Sequence, residues 1–482
     1  MGNLIRTVLI VLVSNCSFGQ ISFFNYYADN GVDIGEGIVQ LEDSSYVLTG
    51  SSSSFSSSSQ AILMKIDSLG NFLWSQNYGG LESESGRRVL YKNGFGFYMC
   101  GFTNSFGNGG FDYYLAKTDT NGVLEWENSY GGSGWEKVHD AIMTADTGTI
   151  LVGESSSNLT DNKDIYIVRT DINGDTLWTK TIGGLGDDYA SAIVGIDDTT
   201  FVIGGRYYVA DSSLTKGWLC KIHENGTIYW DTTFGNYQNT WINGLAIEGG
   251  IIRCVGGASG GNNIGISLFN SIVAFNGDYW GEYTEPSTGS YEHTGISAYV
   301  PAINYYTSLS ISDVWTFPFG NDVLINTLQP NLLWITGNSI GHEYDDVANQ
   351  IIRTSDNGAI VIGYTTGVIS GGNELYVCKI GPTGQFPDVV NYGLSGIVSV
   401  LEQTIQNDVT IFPNPSSGVV HVTTDNFSYE KISVLNAMGQ VIYKEDFTQN
   451  FQFDLSAFPS GYYILQLEGE EIIARNKILI QH

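Results

Sequence analysis

Five acidic side chains recur at matching places along the chain: Asp33, Glu84, Glu136, Asp188 and Asp345. Three of them lie four residues after a Gly-Gly pair, namely Gly79-Gly80, Gly131-Gly132 and Gly183-Gly184. Two chemistries are open to such a set. Gathered on one face, the oxygens would suit a hard cation such as Ca2+, or a cationic group. Taken singly, each carboxylate would cap its own loop by accepting backbone N–H bonds. The cap is the expectation. Ca2+ is the one candidate cofactor, and no metal ligand set is assigned.

Little else in the sequence is suited to catalysis. The histidines at 139, 223, 293, 342, 421 and 482 form no HxH or HExxH pair. Gly257-Ala258-Ser259-Gly260-Gly261 satisfies Gly-x-Ser-x-Gly, but it reads as a glycine-rich loop without the strand-turn-helix that aims a nucleophile, so chance accounts for it. No phosphate loop or dinucleotide fingerprint is present. A glycosidase pair drawn from distant segments stays open because carboxylates are numerous, yet nothing selects one, and no catalytic residue is assigned.

The elements that would position these residues follow a repeat. Trp74, Trp126, Trp178 and Trp230 are each 52 residues apart. A turn precedes each: Lys65-Ile66-Asp67-x-x-Gly70, Lys117-Thr118-Asp119-x-x-Gly122, Arg169-Thr170-Asp171-x-x-Gly174 and Lys221-Ile222-His223-x-x-Gly226. The pattern weakens through Asn276-Gly277 with Trp280 and Pro330-Asn331 with Trp334, then returns at Lys379-Ile380-Gly381-x-x-Gly384, which makes seven units. Each unit holds four short runs rich in β-branched and aromatic residues, broken by Gly, Asn or Asp. Seven four-stranded units of this length predict an all-β seven-bladed β-propeller over residues 20–393; a straight solenoid is the alternative. The repeats resemble the glycine-rich propeller repeats of bacterial secreted proteins. The turns also invite comparison with the Asp-box of sialidases, though Gly and Trp lie further from the aspartate here. In either form the carboxylate holds the hairpin, Gly takes φ > 0 and the indole packs between blades.

Two segments compete to close the ring: Phe386-x-x-x-x-Asn391-Tyr392-Gly393, which aligns with Phe72-x-x-x-x-Asn77-Tyr78-Gly79, and Ile21 to Tyr27. The N-terminal closure is the expectation. By propeller topology the acidic column and the loops Ser51 to Ser59, Asn104 to Gly110 and Ser155 to Asn162 share one face, where propellers place binding sites.

Composition narrows the partners. The chain has 482 residues, 60 of them Gly, with 50 acidic side chains against 20 basic, a formal net charge of -30. That charge disfavours nucleic acid and anionic membrane, leaving sugars, proteins and divalent metals. Residues 1–19 read as a signal peptide: Arg6, the apolar run Leu4 to Val13, and Ser17 and Gly19 before a cut at Gln20. A lipoprotein anchor at Cys16 is the alternative, disfavoured by Asn15. No transmembrane segment is expected. Cys100, Cys220, Cys254 and Cys378 sit in strand-like apolar surroundings and read as buried free thiols.

After a linker at 394–407 the period stops and residues 408–482 show four landmarks in order. These are Pro413-Asn414-Pro415-x-x-Gly418, Asn436-x-x-Gly439, Leu455-Ser456-x-x-Pro459-x-Gly461-x-Tyr463, and Lys477 leading the last strand. The alternation between them predicts a small immunoglobulin-like β-sandwich. The combined order resembles the type A C-terminal sorting domain of cargo of the Bacteroidetes type IX secretion system. That resemblance implies recognition by the type IX translocon and its C-terminal signal peptidase/transferase, and delivery through the periplasm to the cell surface or medium. It makes Pro413, Asn414, Pro415, Gly418, Gly439, Gly461 and Lys477 recognition or fold positions. For the propeller, the expectation is a surface binding or adhesion protein with a glycan or protein ligand. A carbohydrate-active enzyme and a structural surface-layer component are the alternatives.

Overall fold

The computed structural model describes residues 22–28, 31–54, 58–157, 162–260, 266–285, 291–296, 306–312, 322–328, 334–340, 345–366, 372–381, 389–393, 409–413, 416–424, 431–435, 441–446, 450–459, 461–468 and 473–480. The signal peptide and the linker lie outside these residues. The chain divides into two compact units, Met1–Val400 and Leu401–His482.

The first unit is all-β and built of seven antiparallel sheets in chain order. Blade 1 comprises Asp33–Gln40, Tyr46–Ser52, Gln60–Ile66 and Phe72–Tyr78; blade 2, Glu84–Lys92, Gly96–Thr103, Asp112–Thr118 and Leu124–Tyr130. Blade 3 comprises Glu136–Met143, Thr149–Ser155, Asp164–Thr170 and Thr176–Ile182; blade 4, Tyr189–Gly195, Thr200–Val209, Leu214–His223 and Ile228–Phe234. Blade 5 runs from Asn239–Glu248 to Tyr279–Glu285 and blade 6 from Tyr291–Ile296 to Trp334–Ile340. Blade 7 begins with Asp346–Arg353, Ala359–Thr366 and Asn373–Ile380. Consecutive blades pack face to face, and blade 7 returns against blade 1: Ile360, Ile362, Leu375 and Val377 share one core with Leu48, Ile62 and Met64. Middle strands such as Tyr46–Ser52 and Asp112–Thr118 are buried at every position because a neighbouring blade covers each face. Fourth strands such as Thr176–Ile182 lie mostly open.

Both segments that compete to close the ring join blade 7. Phe23–Ala28 takes the fourth position, antiparallel to Asn373–Ile380, and Val389–Gly393 adds a fifth strand outside it, parallel, with Tyr27 opposite Tyr392. The N-terminal strand is in register with the fourth strands of other blades. Tyr27 donates its hydroxyl to the Gly70 carbonyl of blade 1 at 2.6 Å, as Tyr78 does to Gly122 and Tyr130 to Gly174, also at 2.6 Å. Asn25 donates to the same Gly70 carbonyl, as Asn128 does to Gly174.

The repeated turns behave as their chemistry requires. Asp67 Oδ1 accepts the N–H groups of Leu69 and Asn71, both at 2.8 Å, and Asp119 and Asp171 repeat the arrangement. Gly122 has φ +80°, and a Cβ there would lie 2.9 Å from the Trp74 ring, so the glycine serves both the turn and the indole of the preceding blade. The Gly257–Ser259 stretch ends the strand Ile251–Ser259 and is not a loop, which corrects the sequence expectation and leaves the serine without a nucleophile elbow.

The second unit is a sandwich of a three-stranded sheet, Val409–Phe412, Val419–Thr424 and Asn450–Asp454, and a four-stranded sheet, Lys431–Leu435, Val441–Asp446, Gly461–Glu468 and Ile473–Ile480. Val420, Val422 and Phe453 of one sheet meet Ile432, Val434, Leu465 and Ile478 of the other in a single core.

Candidate functional site on the loop face

Glu84 shows what the acidic column does. Its Oε2 accepts the Gly80 N–H at 3.1 Å, four residues back, and its Oε1 accepts the Thr103 hydroxyl at 2.8 Å. Glu136 repeats this with the Gly132 N–H at 2.8 Å and the hydroxyls of Ser155 and Ser157 at 2.7 and 2.6 Å. Asp188 accepts the N–H groups of Gly184 and Tyr208. Asp33 accepts the Ser54 hydroxyl, whose oxygen takes the Gly31 N–H. In blade 7 the corresponding position is held by Asp346 and not by Asp345. Asp346 is buried and opens the strand opposite Thr365, as Glu84 does opposite Thr103, whereas Asp345 is exposed one residue earlier. The offset goes with a longer interval in the sequence: Asp346 stands 12 residues after Trp334, whereas Glu84 stands 10 after Trp74. In blade 5 Thr240 stands in the column, accepting the Gly217 N–H and donating to the Phe234 carbonyl.

The column therefore carries an acid in blades 1, 2, 3, 4 and 7 and a threonine in blade 5. Among the described residues no group of three or more His, Cys, Asp or Glu is placed to hold a metal ion. Burial has an electrostatic consequence: with Asp164 it pushes Asp188 up to about 6, against the two N–H bonds and Arg206. Asp112, which opens the third strand of blade 2, is likewise pushed up to about 6 by burial and by Glu136 beside it.

A second ring lies one step inward, and sequence reasoning missed it. All seven innermost strands carry a β-bulge at the same register, and the extra residue is Glu36, Arg87, His139, Ser191, Asn243, Thr294 or Asn349. Every one is polar, because a bulge takes its residue out of the ladder. Several join neighbouring blades: Arg87 donates to Glu36 at 2.6 Å, Ser191 to the Ile242 carbonyl and Asn349 to the Gly35 carbonyl at 2.8 Å. A polar residue three places after each column acid is the signal that could have found it.

Around blade 3 this ring is flanked by cations and aromatic rings from blades 2, 3 and 4. Glu154 lies directly across from Lys137 in blade 3. Burial would raise Glu154, but His139 at 3.7 Å and Lys163 at 2.8 Å outweigh it and hold the carboxyl at about 2. Burial lowers His139 below the ordinary imidazole range, against the opposing pull of Glu154. The ring of Tyr189 stands 5.7 Å from His139, and the Arg206 guanidinium lies over Tyr189 at 4.3 Å. Lys137 rests over Phe102, Phe111 and Trp135, and Trp135 is 55 % exposed.

In the second unit Gly418 has φ +146°, and a Cβ there would lie 2.6 Å from that of Ser456, so the close approach requires glycine. Gly461 pairs with Ile480 and Lys477 with Ile464. Pro413 is exposed at the strand end, while Asn414, Pro415 and Gly439 lie outside the described residues. The four cysteines are buried and unpaired, and burial raises each thiol, Cys100 to about 12.

Residues 410–481 match the family of secretion system C-terminal sorting domains. The chain is thus sorted by the type IX system to the cell surface or the medium, and the sorting domain implies contact with that machinery. No curated protein sequence matches the chain. Among solved structures it is similar to a fungal alcohol oxidase of the AA5 family in complex with copper, at 10 % identity over 95 % of this chain and 98 % of that one, TM-score 0.46. It is also similar to the polysaccharide lyase Uly1, at 8 % identity over 75 % of this chain and 100 % of that one, TM-score 0.47. Neither likeness bears on activity. Among the described residues no helix is long and apolar enough to cross a membrane.

Proposed function

We propose that this protein is a type IX cargo whose propeller serves as a binding or adhesion module at the cell surface. Residues 1–19 carry it across the inner membrane and Asp408–His482 addresses it through the outer one. The observation that carries the reading is the sorting-domain match at 410–481 on a unit with its own core, behind a propeller whose repeated acids are occupied as loop caps. Asp112 and Glu136, the neighbouring acids that come nearest to a catalytic pair, are 1 % and 0 % exposed. Their burial suits support of the loop from within. Binding chemistry belongs to the residues that remain accessible beside them, chief among them Trp135. Deleting Asp408–His482 is expected to leave the protein in the periplasm, read by fractionation and by antibody labelling of intact cells. Undiminished surface labelling would refute the sorting role.

A further inference from the structure

Lys65, Lys117, Arg169, Lys221 and Lys379 put a cation in the third strand of five blades, and in three of these an acid from the first hairpin of the same blade meets it. Asp146 accepts Arg169 at 2.7 and 2.8 Å, Asp356 accepts Lys379 at 3.2 and 2.9 Å, and Asp43 stands 3.8 Å from Lys65. Blade 2 has no such acid. Gly94 stands 23 residues before Lys117, as Asp146 stands before Arg169 and Asp356 before Lys379, in a hairpin closed by the same backbone bond, here from the Phe95 N–H to the Lys92 carbonyl. A cavity of about 450 Å3 lies there, lined among others by Gly94, Phe95, Lys117, Glu125 and Trp126, and a Cβ on Gly94 would meet nothing within 4 Å. Lys117, 8 % exposed, is paired instead with Glu125 of the fourth strand, which stands where blades 1, 3 and 4 have Leu73, Leu177 and Tyr229. Two polar groups beside this pair are unused among the described residues. The Trp126 indole N–H makes no hydrogen bond, whereas Trp178 and Trp230 at the same place donate theirs to the next turn. The Tyr98 hydroxyl is buried without a partner, its ring 5.6 Å from Lys117 Nζ and 6.0 Å from the Trp126 ring.

We infer that this cavity binds a free α-amino acid with an apolar side chain: its carboxylate meets Lys117 where other blades place an aspartate, its ammonium meets Glu125, and its side chain lies against Phe95 and Trp126. The ligand's two charges sit on adjacent carbons, so they match a lysine and a glutamate already in contact. A carboxylate alone would have to displace Glu125, and an amine alone would compete with Lys117; either leaves one charge of the pair without its partner, at a cost that is greatest for the buried lysine. Polar groups converging beside aromatic rings in a cavity of this size suit a small molecule. The strand Glu84–Lys92 begins at the acidic column and ends at this hairpin, so the site is separate from the loop face and goes beyond the adhesion reading.

Calorimetric titration of the purified full chain tests this with L-phenylalanine, L-leucine, 3-phenylpropionate, which lacks the ammonium, and phenethylamine, which lacks the carboxylate. One of the amino acids is expected to bind about tenfold or more tightly than either single-charge probe. Gly94→Asp restores the acid of the other blades and is expected to weaken amino-acid binding about tenfold more than Gly94→Asn, which imposes the same backbone cost at φ +80° without the charge. Glu125→Gln is expected to reverse the preference, so that 3-phenylpropionate binds at least as tightly as L-phenylalanine, a change that loss of structure would not produce. Absence of amino-acid binding at millimolar concentration, or equal affinities in Gly94→Asp and Gly94→Asn, would overturn the site. Wild-type protein that binds 3-phenylpropionate as tightly as L-phenylalanine would overturn the role of Glu125 and the ligand class with it. None of these results touches surface labelling of intact cells, so failure here is distinguishable from failure of the sorting role.

Discussion

Asp112 is the residue whose environment fits it least. It is 1 % exposed, its Oδ2 accepts the Asn108 N–H at 2.8 Å, and its Oδ1 receives no hydrogen bond beside the Glu136 carboxylate. Blade 1 solves the same problem with an amide: Gln60, 24 residues before Glu84 as Asp112 is before Glu136, donates Nε2 to Glu84 at 3.3 Å. The folded-state pKa of Asp112 lies above its unfolded value, near 6 against 3.8. Its contribution to stability is therefore full below about 4 and lost as pH rises through about 6. Asp112→Asn should copy the blade 1 solution and stabilise the protein at pH 8 by about 1 kcal/mol, with no gain at pH 4. Thermal melts at the two pH values check this; an equal shift at both would exclude the titration as its source.

At the scale of the strand, the joints between blades are made by whichever group the sequence supplies. Blades 1, 2 and 7 use a tyrosine hydroxyl to the next turn. Ile182 and Phe234 stand at that place in blades 3 and 4, and there the indole N–H of Trp178 and Trp230 bonds the next turn instead, to Glu224 at 2.9 Å and Phe275 at 3.0 Å. Phe23, Asn25 and Tyr27 stand ten, eight and six residues before Asp33, as Trp126, Asn128 and Tyr130 stand before Glu136, so the closing strand was legible in the sequence once counted backwards from the column acid. Removing Phe23–Ala28 would expose the edge of Asn373–Ile380 and strip the blade 7 to blade 1 core of Phe23 and Tyr27. Deletion to residue 28 should lower the melting temperature by about 10 °C or more and promote aggregation, whereas deletion to residue 19 should not. Differential scanning calorimetry of the two truncations separates the outcomes.

For the whole molecule, charge acts at two ranges. The excess of acids repels itself throughout the protein, so added NaCl up to 0.3 M should raise the melting temperature, and an unchanged or falling value would argue against that repulsion. At contact range individual carboxylates are held by neighbouring cations, as Glu154 is by Lys163 at 2.8 Å and Glu36 by Arg87 at 2.6 Å. The sequence by itself determined the seven-fold repeat, the Asp-Gly turns and the sorting domain, because each depends on local spacing and short-range backbone chemistry repeated many times. Only the tertiary structure decided that the terminal strands share blade 7, that Asp346 and not Asp345 completes the acidic column, and that polar bulges ring the inner strands. These depend on register between segments far apart in the chain, and a one-residue slip there exchanges a buried side chain for an exposed one without altering the local pattern.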